Sequence, residues 1–280
     1  MIQLMNLTKK FGEFTAVDGI DLTIETGEFF GLLGPNGAGK STTIGMMSTL
    51  MLPTGGEVRI DGQLLDRKNT ALKRKLSVVT QEFSMRQDMT MEEVMEYQGR
   101  LYFMARSEIR EKTRELLDFA GLDKYRKRTV RKLSGGMKRK LMVCRALLTD
   151  PEILLLDEPT AGMDALARRQ MWNLLKRLNE DKFTILLTTH YMEEAEALCD
   201  RVALMDRGKI DSIDAPAAMI EDLGKYAVDL TGKETMDSRY FGTKEEAIEY
   251  ISGLDRDAAL RNTTLEDVFL TRMGRSLERK

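Results

Sequence analysis

Apolar positions along the chain switch between a spacing of two and a spacing of three to four. Residues 2–7, Ile20-Asp-Leu-Thr-Ile24 and Glu28-Phe-Phe-Gly-Leu-Leu33 read as short strands separated by turns. Helical spacing takes over at Lys40 and fades near Leu52-Pro53. Val58-Arg-Ile60 with Asp61-Gly62 predicts a strand and turn, and residues 76–80 predict a short apolar strand ending at Gln81. A helical block follows. Thr90 and Glu93 stand at capping-box spacing. Ser107 precedes a helix with Ile109, Thr113, Leu116 and Ala120 on one face and Gly121 at its stop. Met137, Leu141, Cys144 and Leu148 line the apolar face of a later helix, and residues 153–157 form an apolar strand. Met171, Leu174, Leu175 and Leu178 make another helical stripe before a buried strand at 184–189. Apolar strands alternating with helices predict an α/β fold with a mostly parallel sheet and covering helices. From about Ala215 onward the chain reads as a separate appendage.

Composition narrows the setting. A chain of 280 residues suffices for one large domain with an appendage, or for two modest domains. Lys and Arg total 43 against 45 Asp and Glu, which argues against a nucleic-acid-coating protein and its clustered cations. Cys144 and Cys199 are too few for a disulfide framework and read as reduced thiols. The N-terminus lacks the basic head and apolar stretch of a secretory signal. No apolar run approaches the roughly 20 residues of a membrane span. Any action on a membrane therefore needs another chain to supply the spans.

Three tracts carry candidate chemistry. Gly34-Pro-Asn36-Gly37-Ala38-Gly39-Lys40-Ser41 matches G-x-x-x-x-G-K-[ST], with a strand before it and a helix after it. Its glycines let backbone N–H groups curl around phosphates at a positive helix end. Lys40 reaches the terminal phosphates, Ser41 ligates magnesium, and Thr42 follows in the first turn. This tract alone separates neither GTPase, kinase nor transport ATPase. The 153–157 strand ends in two adjacent carboxylates. Asp157 suits the metal shell and Glu158 suits the positioning of attacking water. Leu133-Ser134-Gly135-Gly136 opens a helix with Ser134 as N-cap and two glycines baring its N–H groups, a second anion-binding arrangement.

Together these tracts, in this order over about residues 1–215, resemble the nucleotide-binding subunit of an ATP-binding cassette transporter. The resemblance implies a P-loop NTPase core with a mostly parallel sheet, an N-terminal antiparallel β subdomain and a helical subdomain inserted at about 84–150. Residues 216–280 would form a C-terminal extension. It implies ATP and Mg2+ as ligands, with Ser134, Gly135 and Gly136 closing over ATP held by a second cassette. Gln81 would touch magnesium, and Ala161-Gly-Met-Asp164 would cross the dimer interface. His190, the only histidine, would contact the terminal phosphate. Phe11 stands where the family stacks a tyrosine on adenine and could equally be a core residue; Val17 would line the same pocket. The partners implied are a second cassette and a separate transmembrane permease, at the cytoplasmic face of the membrane, with no nucleic acid.

The variant Leu-Ser-Gly-Gly-Met137-Lys-Arg, with Thr264-Leu-Glu-Asp-Val-Phe-Leu270, resembles the single-cassette exporter branch that includes the daunorubicin-resistance type. Physically, Thr264 and Asp267 stand at capping-box spacing. A soluble cassette acting on ribosomes or DNA, or an importer ATPase, are the alternatives. Residues 124–140 hold nine cations and no acid, which read mainly as a solvated helical face. Met85, Met89, Met91 and Met95 read as core filling, with an adaptable partner groove as the second reading.

Overall fold

The computed structural model of the chain describes residues 1–83, 85–231, 236–254 and 257–278. β1 (Ile2–Phe11) and β2 (Phe14–Ile24) form an antiparallel hairpin. β3 (Phe29–Leu33), buried at every residue, runs into a glycine-rich loop and α1 (Lys40–Met47). β4 (Gly55–Ile60) and β5 (Gln63–Leu64) return to the hairpin and complete an antiparallel sheet ordered β2-β1-β4-β5. After α2 (Thr70–Arg74) and β6 (Leu76–Val79) come three longer helices: α3 (Met91–Leu101), α4 (Arg106–Phe119) and α5 (Gly135–Leu147). The chain then alternates through β7 (Ile153–Asp157), α6 (Ala165–Glu180), β8 (Thr184–Thr189), α7 (Met192–Leu198), β9 (Arg201–Asp206) and β10 (Lys209–Asp214).

The central sheet is ordered β10-β9-β3-β8-β7-β6, parallel except for the β10 edge. Side chains on a strand alternate between faces, so each parallel strand must feed two cores. Leu154, Leu156, Ile185 and Leu187 join the core built with the helices. Ile153, Leu155 and Leu186 point the other way, into the core shared with α1 and the N-terminal sheet. That two-sided demand explains the unbroken apolar runs of β7 and β8. The architecture is the expected α/β core with an antiparallel β subdomain and inserted helices. Ser84, the expected start of the insert, lies outside the described residues.

Local expectations fare unevenly. Thr90 and Glu93 form a reciprocal capping box. Ser107 does not cap α4: the helix begins at Arg106 behind Ala105, which has no side-chain cap bond. The tight exit from α3, with Phe103 at positive φ and Met104 N–H donating to the Gly99 carbonyl, starts the helix before the serine can act. Leu117 rather than Leu116 is fully buried beside Ile109, Thr113 and Ala120. Met85, Met91 and Met95 are buried in the helical core with Met89 packed against it, so the methionines fill space there.

In the extension, α8 (Pro216–Leu223) precedes β11 (Tyr226–Thr231), β12 (Met236–Phe241), α9 (Lys244–Ser252), β13 (Ala258–Asn262) and α10 (Leu265–Glu278). The strands form an antiparallel sheet ordered β12-β11-β13 with α9 against it. Met219 of α8 and Leu265 and Val268 of α10 share a core with Leu33, Ala195 and Leu204. The extension's helices are thus packed into the body of the protein. Thr264 donates its N–H and hydroxyl to the Asp267 carboxylate, at 2.8 and 2.9 Å. Among the described residues, no helix is long and apolar enough to cross a membrane.

Candidate nucleotide site

β3, β8 and β7 are neighbours, so their carboxyl ends finish at one edge of the sheet, where parallel sheets collect ligands. The loop leaving β3 has Gly37 and Gly39 at φ of 84° and 108°, conformations cheap only for glycine. Gly34 is fixed by space instead: a Cβ there would stand 2.1 Å from the Met205 carbonyl oxygen. α1 starts without a side-chain cap, leaving N–H groups free to meet an anion.

Lys40 is 4% exposed and donates to the Gly34 and Pro35 carbonyls at 2.7 and 3.0 Å. Its Nζ lies 3.8 Å from Glu158 Oε1. Burial pushes its pKa down, and Glu158 and Asp157 oppose that shift. Ser41 and Asp157, 116 residues apart, meet at 3.0 Å, the hydroxyl donating to Oδ1. Thr188 donates to the same oxygen at 2.6 Å. Glu158 adopts φ 46°, a backbone region that non-glycine residues rarely occupy and that clusters at functional sites. Its N–H is anchored on the Thr188 carbonyl at 3.1 Å. Gln81 Nε2 donates to Glu158 Oε2 at 3.3 Å. His190 Nδ1 lies 3.2 Å from Glu158 Oε1 but off the line a hydrogen bond needs.

These groups surround an open cavity of about 640 Å³. Asn36, Gly37, Gly39, Lys40, Ser41, Thr42, Gln81, Glu158 and His190 all line it. Gly34 and Ala38 support the loop from beneath. Phe11 is half exposed on the cavity wall and is no core residue. Val17 corrects the expectation: it is fully buried beneath Gly39, and Ala16 lines the cavity instead. Shifts in the β1–β2 register around Lys9 and Lys10 decide which neighbour faces in. Phe14 and Tyr191 also line the wall. Sequence reasoning missed both, although Phe14 pairs with Phe11 across a two-residue turn and Tyr191 adjoins His190. It also missed Arg139 within the run of nine cations. Arg139 is 3% exposed and donates to the Thr80 carbonyl at 2.8 Å, bracing the segment that carries Gln81.

Ser134, Gly135, Gly136 and Asp164 do not line this cavity. Ser134 caps α5, its hydroxyl accepting from the Met137 N–H at 3.3 Å. Asp164 caps α6, accepting from the Ala167 N–H at 2.8 Å. A Cβ on Gly136 would approach Ala167 Cβ at 3.2 Å, which packs the two helix starts together. A Cβ on Gly135 would meet nothing within 4 Å. The smallness of Gly135 therefore makes no room for any of the described residues.

The donors present fit a triphosphate with magnesium. The loop offers N–H groups and an ammonium, while Ser41 and Asp157 offer adjoining hard oxygen ligands. Among the described residues, no three acidic, histidine or cysteine side chains form a self-sufficient metal cage. A metal here would take the rest of its shell from phosphates and water, as Mg2+ commonly does.

Known proteins agree with this geometry. The Nod factor export ATP-binding protein I of Cupriavidus metallidurans is 35% identical over 299 residues, covering 99% of this chain and 98% of that one. The daunorubicin/doxorubicin resistance ATP-binding protein of Streptomyces peucetius is 38% identical over 229 residues, covering 82% and 69%. A solved dimeric ATP-binding cassette in a post-hydrolysis state, bound to ADP and Pi, superposes with a TM-score of 0.69 at 32% identity, covering 77% and 98%. The family model described as ABC transporter matches residues 17–161. With the phosphate loop, the paired carboxylates and the glycine-bared α5 in their places, the chain belongs to the ABC transporter family as one of its ATPases.

Proposed function

We propose that this ATPase powers a membrane exporter as one of two cassettes that hold two ATP molecules between them. One observation carries the reading. The chain gathers Lys40, Ser41, Glu158, Gln81 and His190 on one cavity, with Asp157 hydrogen-bonded behind Ser41, yet presents an exposed Ser134 and an unencumbered Gly135 elsewhere. Each ATP then sits on the Lys40 loop of one copy and under the Ser134 helix of the other. Ser41, Gln81 and Asp157 would hold Mg2+, which would offset charge on the phosphoryl oxygens. Phe11 offers a ring face to adenine. His190 contacts the terminal phosphate, and Glu158 polarises the attacking water. Closure pulls on the Gln81 segment and switches a separate transmembrane permease, with the cassette at the cytoplasmic face. The names of the relatives support export over import. An isolated monomer, lacking half of each site, hydrolyses ATP poorly.

The test is Glu158→Gln, purified with ATP and Mg2+ from detergent-solubilised membranes. The variant binds ATP, loses turnover, elutes as a dimer and brings a polytopic membrane protein with it. Full turnover refutes the role of Glu158. Recovery only with ribosomes or nucleic acid refutes the transporter assignment.

A further inference from the structure

Glu194, on α7 four residues after His190, is a carboxylate with no exposure at all. Its Oε1 accepts a hydrogen bond from Trp172 Nε1 of α6 at 3.0 Å. Burial pushes its pKa up, opposed in part by the hydroxyls of Thr189 and Thr160, the Trp172 N–H and the charge of Arg168, which favour the ionised form. Yet Glu194 Oε2 and Thr160 Oγ1 are both buried without a completed hydrogen bond, and so is Arg168 Nε. Thr189 already accepts from the Tyr191 N–H at 3.0 Å, which leaves its own proton free to donate.

Each of these partners sits on a segment that the nucleotide site uses. Thr160 lies between Glu158 and Asp164. Thr189 ends β8 immediately before His190. Trp172 and Arg168 belong to α6, the helix capped by Asp164. Arg168 also stacks over the Tyr191 ring at 4.7 Å. A buried carboxylate is costly, and an apolar side chain would fill the space more cheaply. Such a group persists where it specifies one arrangement of the elements around it.

We propose that Glu194 is a positioning residue for ATP hydrolysis: it latches the His190 segment to the Glu158–Asp164 turn, closing onto Thr160 as the site closes. Two facts suit a latch rather than a static brace. His190 stands 3.2 Å from Glu158 but misaligned. Glu194 Oε2 and Thr160 Oγ1, an acceptor and a donor near enough for the hydroxyl to favour the ionised carboxylate, each lack a hydrogen bond of full geometry. A small shift of α7 against the turn completes the Thr160–Glu194 bond and brings His190 into line. The inference rests on the roles given above to Glu158 and His190.

Trp172 is the only tryptophan in the chain, so its emission reads this carboxylate directly. The experiment uses the full chain with Glu194→Gln, Thr160→Val and Thr160→Ser, beside Glu158→Gln as control. Steady-state ATPase, ATP binding, thermal midpoint and Trp172 fluorescence with and without ATP are measured. In the parent chain, ATP shifts Trp172 emission. In Glu194→Gln and Thr160→Val that shift is lost and kcat falls roughly 10- to 100-fold with KM nearly constant. Thr160→Ser, which keeps the hydroxyl, retains both. Should Glu194→Gln hydrolyse ATP at the parental rate per folded molecule while Glu158→Gln is inactive, this proposal fails and the site assignment survives. A fluorescence shift that persists in both substituted chains overturns it equally. An active Glu158→Gln overturns both together.

Discussion

Gly135→Asp separates what the chain needs from what its assembly needs, because the two effects have opposite signs. Among the described residues nothing lies within 4 Å of a Cβ at this position, and Gly135 is not among the glycines at positive φ. The substitution therefore meets neither clash nor strain. α5 has no acid in its first turn. An aspartate there gains about 0.3 kcal/mol of helix propensity over glycine. Its charge at the positive helix end adds about 0.3–1 kcal/mol. The sum, about 0.6–1.3 kcal/mol, corresponds in a chain of this size to a melting midpoint raised by roughly 1–2 °C. On the proposed dimer the same carboxylate faces the triphosphate of the other cassette. Repulsion between unit charges about 4 Å apart is about 1 kcal/mol in water and about 4 kcal/mol at a protein surface. That weakens closure by roughly 5- to 1,000-fold. The assay is a thermal melt, then size exclusion of Glu158→Gln with and without Gly135→Asp at saturating ATP. A double variant that dimerises like its parent refutes the phosphate role of this helix. A midpoint several degrees lower refutes the claim that Gly135 is free of intrachain packing.

Lys40→Ala should abolish detectable ATP binding, since it removes the buried ammonium between loop and carboxylates; tight binding measured by calorimetry would relocate the phosphate site. Arg139→Met should lower kcat while changing stability by only about 1 kcal/mol, because the lost charged hydrogen bond to Thr80 is offset by no longer burying a charge; a parental kcat would show that this anchor does not govern Gln81. Burial pushes the Cys144 thiol from 9.0 up to about 12, so the folded state retains a proton that the unfolded chain releases. Its contribution is complete below pH 9 and is lost as pH rises toward 12, at about 1.4 kcal/mol per pH unit. Denaturant melts at pH 8 and 10.5 should therefore show a steeper loss for the parent chain than for Cys144→Ala, and equal losses would contradict the assignment.

Much of the site could be read from residue order because its chemistry is local. A loop that cradles phosphate needs its glycines and lysine within eight consecutive positions. A strand that presents a metal ligand and a base needs them adjacent at its end. Caps likewise depend on neighbours, and Thr90, Ser134 and Thr264 act where their spacing places them. Where a neighbouring turn intervened, as the exit from α3 did at Ser107, the local rule gave the wrong cap. Phe14, Tyr191 and Arg139 went unnoticed because nothing in their surroundings distinguishes a wall or a brace from an ordinary surface aromatic or cation.

The phosphate loop, the paired carboxylates and the alternation of strands and helices are legible in residue order, since each depends on residues a few positions apart. Folding of the whole chain was needed to show that Ser41 meets Asp157 across 116 residues, that Ala16 rather than Val17 faces the cavity, and that Glu194 is buried against Trp172. Those facts follow from strand order, register and helix packing. These depend on which apolar faces find one another across the whole chain, and short-range spacing does not encode that choice.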